Sequence, residues 1–357
     1  MEVTQRNDEA KRFISTKLDQ ASKLTETDFE DLQDYYKLLT TLENLIQVNA
    51  KGFRGVVATA ITGKYLDPNY DPLNDFYSCN PRSIFEQGIF YALEGRVPCG
   101  KSDPLNVAKN IYVLDEAWAR GKRPQSAAQA AVDYLRFIES SAGDHQQKII
   151  DFYFFKLHEY GKSIQNIVIQ APEEAGLSHQ LFAWKLSSFV LDYPESGTIP
   201  QLVISILLNK VYEHSSIKVE GGDESVFGTN TTSKKPADIW LENEQGPFNL
   251  YEITVKKIDY KRLDDCIQSL DSVDMLGKPV HFICRLNKDI ATLDTMNLSL
   301  TYKSKTFNFV DISVFIRSLA TLLTSEQIIT ITNELAAFVG DIQRPIKTKE
   351  GWNHLFG

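Results

Sequence analysis

The amino-acid sequence predicts an α+β protein, with a mainly helical half over residues 1–165 and a mixed α/β half over residues 166–357. Three observations carry this. Apolar residues recur at three- and four-residue spacing through most of the first half, the period of a helix with one buried face. Runs rich in β-branched and aromatic residues with two-residue alternation appear only beyond about residue 235, separated by turn formers. A chain of 357 residues also fits about two domains at ~150 residues each.

From Asp8 to Asn49, Phe13, Leu18, Leu24, Leu32, Tyr36, Leu39, Leu42, Leu45 and Ile46 trace one or two amphipathic helices. The stretch DPNYDPLNDFYSCNP (67–81) is crowded with Pro, Asn and Asp, which stop any periodic element, and reads as loop. Helix resumes over Pro81–Leu93, over the alanine-rich Ser126–Ser140, and over Asp151–Tyr160. After a change of character between about 161 and 200, residues 201–213 again have helical spacing. The strand candidates are ADIWLE, NLYEITV, VHFICRL and LSLTYKS, with helical patterns over 259–272, 311–323 and 325–339.

Composition excludes several classes. The chain is 43% apolar and 24% charged, enough for real cores. Its longest apolar runs, such as IPQLVISILL, fall far short of the ~20 residues a membrane span needs, and MEVTQRNDEAKRF lacks the apolar centre of a signal peptide. Cys79, Cys99, Cys266 and Cys284 form no C-x-x-C pair, and the six histidines have no metal-ligand spacing. A reducing, cytoplasmic setting is expected, without a zinc site or disulfide framework. The net charge of -9 does not by itself advertise a polyanionic partner.

Residues 95–102, GRVPCGKS, match the phosphate-loop pattern G-x-x-x-x-G-K-[ST], and NIYVLDE follows with Asp115 and Glu116. The pattern works only where a buried strand feeds a helix whose first N–H groups face the phosphates. Here RSIFEQGIFYALE precedes it and reads as helix, Pro98 and Pro104 interrupt the loop, and Asp115 arrives too soon for a helical crossover. No nucleotide cofactor is expected. The neighbourhood is nevertheless basic and rich in hydrogen-bonding side chains: Arg82, Lys101, Ser102, Asn106, Lys109, Arg120, Lys122 and Arg123. Such residues neutralise phosphates and read base edges, so they are candidates for contact with DNA. A solvated surface produces the same run.

The chemistry-bearing stretch is KKPADIWLENEQGPFNLYEITVKK (234–257). A hairpin folded about Gln245 places Asp238 directly opposite Glu252. Cross-strand partners hold their Cβ atoms ~5 Å apart, close enough for both carboxylates to ligate one Mg²⁺ at ~2.1 Å. Alternation along the second strand puts Glu252, Thr254 and Lys256 on one face. A lysine there can orient a water and stabilise charge developing on a phosphate oxygen. From these residues alone, an exposed hairpin with ordinary surface charges accounts better for the pattern.

Pro236, Asp238 and Glu252, with a basic residue beyond, resemble the PD-(D/E)XK nucleases, although the lysine position two places after the glutamate holds Thr254 here. The block VVATAITGKYLDPNYDPL, with CNPRSIFEQGI and GKSDPLNVAKN, is similar to the N-terminal region of type II restriction endonucleases of the SacI family, through Thr59, Ala60, Lys64, Asp67, Pro81, Arg82, Gly100, Pro104, Leu105 and Asn106. The resemblance covers about residues 50–125 and 210–260. It implies a nuclease core of mixed sheet flanked by helices behind a DNA-contacting helical domain. It also implies Mg²⁺-dependent, sequence-specific cleavage of double-stranded DNA, usually by a homodimer. Asp238 and Glu252 would hold the metal, Lys256 would assist the water with Thr254 as a second candidate, and Glu213 would add the helix-borne acid, with Glu220 and Glu224 as rivals. The alternatives are a repair or modification-dependent nuclease with the same core, and a non-enzymatic binding or scaffold protein.

Overall fold

The computed structural model describes residues 2–170, 177–222 and 235–357. The chain divides into two compact units, residues 1–168 with 342–345, and residues 169–341 with 346–357.

The first unit is helical around one apolar core. Helix α1 (Val3–Ala21) buries Ala10, Ile14, Leu18 and Ala21 on one stripe, and α2 (Tyr35–Ile46) buries Leu38, Leu42, Leu45 and Ile46. The next helix, α3 (Gly52–Leu66), is buried on all sides from Gly52 to Gly63. Such a helix has no polar face, so its period leaves no trace in the sequence. Pro81–Leu93 is helical with one π-type turn at Phe85–Ile89. Two long helices, α4 (Gln125–Glu139) and α5 (Gly143–Gln165), complete the unit. The second of these extends well beyond the 151–160 predicted from apolar spacing alone.

The second unit is a six-stranded mixed sheet between two helical layers. The strands are β1 (Lys218–Gly221), β2 (Ile239–Asn243), β3 (Gly246–Ile253), β4 (Val280–Cys284), β5 (Ser299–Tyr302) and β6 (Lys305–Asp311), in the order β1-β2-β3-β4-β6-β5. The β3–β4 and β4–β6 pairs are parallel and the others antiparallel. One face carries Ile239, Leu241, Tyr251, Ile253 and Ile283 into a core shared with α6 (His179–Asp192), α7 (Thr198–Tyr212), α9 (Ile312–Ala320), α10 (Ser325–Gly340) and α11 (Ile346–Phe356). The other carries Leu250, Val280, Phe282, Phe307 and Phe309 against α8 (Tyr260–Asp271), which buries Leu263, Cys266 and Leu270. Alternation along the strands therefore fixes which residues meet α8. Glu252, two places after Leu250, is one of them.

Candidate active site

The β2–β3 hairpin turns tightly at Glu244 and Gln245, where the Asn243 side chain accepts the Gln245 N–H at 2.9 Å and Gly246 adopts φ +94°. Asn243 pairs with Gly246 and Glu242 with Pro247, but Leu241 pairs with Asn249, leaving Phe248 as the extra residue of a bulge. The bulge shifts the register by one. Beyond it Trp240 faces Leu250 and Ile239 faces Tyr251, so the next rung belongs to Asp238 and Glu252.

Both side chains line one open cleft of about 370 Å³. Asp238 Oδ2 accepts the Ile253 N–H at 2.8 Å, and its backbone carbonyl accepts the Gly222 N–H at 3.2 Å. Glu252 is almost fully buried, and its Oε2 accepts from Arg262 Nη2 at 2.7 Å. Each carboxylate thus has one oxygen held and, among the described residues, one that accepts nothing. Burial raises the pKa of both. For Glu252 the nearby Asp238 charge adds to the rise and Arg262 opposes it. For Asp238 the Ile253 hydrogen bond opposes burial most, followed by Arg262 and Lys235. Two carboxyls this close resist ionising together.

The donors present are oxygen atoms. Among the described residues no histidine lines the cleft, and Cys266, which does, is held as a neutral thiol because burial pushes its pKa to about 12. Among the described residues no three His, Cys, Asp or Glu side chains cluster as a metal site. Two carboxylates in a water-open cleft suit a hard cation such as Mg²⁺, which keeps several of its waters.

The remaining expected site residues divide. Thr254 and Lys256 line the cleft. Strand β3, however, ends at Ile253, and Lys256 N–H turns back onto Thr254 Oγ1 at 3.0 Å. This hydroxyl turn ends the alternation, so Lys256 reaches the cleft from an exposed bend rather than from the strand face expected for it. Glu213 does not line the cleft. It follows the last turn of α7, paired with Lys210 at 3.0 Å and accepting from Gln327 at 3.4 Å. The α7 residue that does line the cleft is Gln201, twelve places earlier, or ~18 Å along the helix axis at 1.5 Å per residue. Glu220 is exposed on β1 opposite Trp240, and Glu224 lies outside the described residues. Arg262, Asp265 and Ser269 also line the cleft, from α8, and no local sequence pattern marks them for it.

In the first unit the GKS segment is a turn before the short helix Asp103–Ala108, and no strand precedes it. Lys101 Nζ lies 3.3 Å from Tyr91 Oη, Ser102 Oγ donates to Glu86 at 2.7 Å, and Asp103 accepts the Gly100 N–H at 2.6 Å. Asp115 caps the helix Glu116–Arg120 by accepting the Trp118 N–H at 2.8 Å. These are turn and cap roles. Arg82, Asn106, Lys109, Arg120 and Arg123 are exposed, and Lys122 lies 5.9 Å over the Trp118 ring. Some residues of the family-like block are occupied in packing: buried Thr59 donates to Gly55 O at 2.6 Å, and Lys64 donates to Tyr70 O while pairing with Glu139.

No family model matches the chain, and no curated protein matches it. None of the described helices is long and apolar enough to cross a membrane.

Proposed function

We propose that this protein is an Mg²⁺-dependent type II restriction endonuclease with a PD-(D/E)XK-like core, acting as a homodimer on double-stranded DNA. The observation that carries the reading is the convergence of Asp238 and Glu252, one place beyond the last β2–β3 pair and each with one oxygen restrained and one available, on a cleft bordered by Lys235, Lys256 and Arg262. Asp238 and Glu252 hold the ion, and Lys256 orients the attacking water and offsets charge gathering on the phosphoryl oxygens. Thr254, whose oxygen already accepts from the backbone, retains its O–H to donate. A bound Mg²⁺ supplies Lewis-acid polarisation of the phosphoryl group and a more acidic water. The homodimer follows from the need to cut two strands, and the exposed basic residues between Arg82 and Arg123 are the proposed duplex contacts.

The test is a plasmid digest with Mg²⁺ and with EDTA. Discrete fragments that appear only with Mg²⁺, and disappear in Asp238→Ala, support the reading. A plasmid left intact across sequences and divalent ions removes it.

A further inference from the structure

We infer that Arg262 is a phosphate-binding residue of this cleft and supplies the fixed positive charge that Thr254, at the family's lysine position, cannot. The inference rests on the nuclease reading above. Three observations support it. The guanidinium donates to Glu252 Oε2 through Nη2 alone, so most of its five N–H donors remain uncommitted among the described residues. The two partners are unequally exposed, the Arg262 side chain at 44% and that of Glu252 at 10%. The arginine therefore stands between the buried acid and the open cleft. Arg262 also lies one turn from Asp265 on its own helix, yet its ion pair crosses to Glu252 on the sheet.

Position follows from sequence. Asp259 caps α8 by accepting the Arg262 N–H at 3.0 Å, and Leu263, Cys266 and Leu270 anchor the helix against the sheet. Arg262 is thereby set in the first turn, beside the strand end that carries Glu252. A planar guanidinium uses one edge on a carboxylate and offers the other to a phosphate, which a threonine cannot imitate. With a divalent ion on the two carboxylates, the same side chain faces the phosphate from the α8 side.

The test measures duplex binding without cleavage. Glu252→Gln removes the carboxylate to which Arg262 is hydrogen-bonded, and is compared with the double variant Glu252→Gln/Arg262→Gln. Affinity for a duplex is followed by fluorescence anisotropy in Ca²⁺ between roughly 50 and 200 mM salt, where each phosphate contact contributes about 0.9 to the slope of log affinity against log salt. The expected result is that the double variant loses about one contact's worth of slope while both variants melt cooperatively. Equal slopes would show that Arg262 serves only as the counter-ion of Glu252 and would overturn the inference. If the wild-type protein cuts DNA while the two slopes are equal, the inference alone falls. If the wild-type protein neither binds nor cuts duplex, the nuclease reading falls with it.

Discussion

Asp238 and Glu252 lie opposite each other, one place beyond the last pair of the β2–β3 ladder, only because the hairpin makes two offsetting departures from a regular turn. Its centre lies half a residue before Gln245, and the bulge at Phe248 restores the symmetric register before the site is reached. The consequence is a buried Glu252 and a half-buried Asp238 that repel each other, with one guanidinium bonded to Glu252.

That repulsion predicts a stability gain on removing one acid. Both pKa values are raised, so the folded protein holds protons that the unfolded chain releases near pH ~4. The site's contribution to metal-free stability is therefore greatest below the unfolded values and is lost as pH rises through the folded ones. Asp238→Asn removes the like charge and keeps an oxygen to accept the Ile253 N–H. In EDTA near pH 8 it should be more stable than wild type by roughly 0.5–2 kcal/mol, with the gap closing near pH 4. Urea denaturation at the two pH values measures this, and a variant less stable than wild type in EDTA would refute mutual repulsion.

Much of this architecture is legible in the sequence, and the parts that are not have a common cause. The mirror spacing of Asp238 and Glu252 about Gln245 is a local property, and so is readable. Gln201 lies in the first turn of α7 and Glu213 caps its other end, and only the packing of α7 decides which end meets the cleft. The same holds for Arg262, which stands in plain view after the basic Lys256, Lys257 and Lys261 but becomes a site residue only because α8 covers the Glu252 face. Lys256 was expected by strand alternation, a rule that stops where Thr254 begins a turn. Helix α3 left no period to find because none of its faces is polar.

Metal should reverse the sign of the pH effect. An ion on Asp238 and Glu252 displaces protons, so Mg²⁺ protects the wild-type protein more at pH 8 than at pH 5. At a free concentration about 100 times its Kd the gain is ~2.7 kcal/mol. Asp238→Asn should lose most of it. Thermal melts across a Mg²⁺ titration report this directly, and equal protection of both proteins would place the ion elsewhere.

Lys256 and Glu213 give opposite expectations. Lys256→Ala should lower cleavage by about 10²–10³-fold with little change in melting, since the side chain is exposed and the loss is confined to charge stabilisation. Glu213→Ala removes an exposed i,i+3 pair with Lys210 and should leave the melting temperature essentially unchanged, with cleavage within about twofold of wild type. Single-turnover rates decide both. A Glu213 variant as impaired as the Lys256 variant would return that glutamate to the site.

The last prediction concerns the backbone that seats Asp238. Gly221 closes β1 at φ +80°, and a Cβ built there would lie 2.3 Å from the Asp238 carbonyl oxygen. Its neighbour Gly222 donates the N–H that this carbonyl accepts. Gly221→Ala therefore combines an unfavourable left-handed conformation with a clash against the backbone of Asp238. It should cost roughly 1–3 kcal/mol and weaken Mg²⁺ protection together. Gly246, at φ +94° in the hairpin turn, has open space where its Cβ would be. Gly246→Ala meets the same conformational penalty without the clash, so it should lower stability while leaving Mg²⁺ protection intact. Melting both variants with and without Mg²⁺ separates the two effects. Equal metal responses in the two proteins would mean that the β1 edge does not position Asp238.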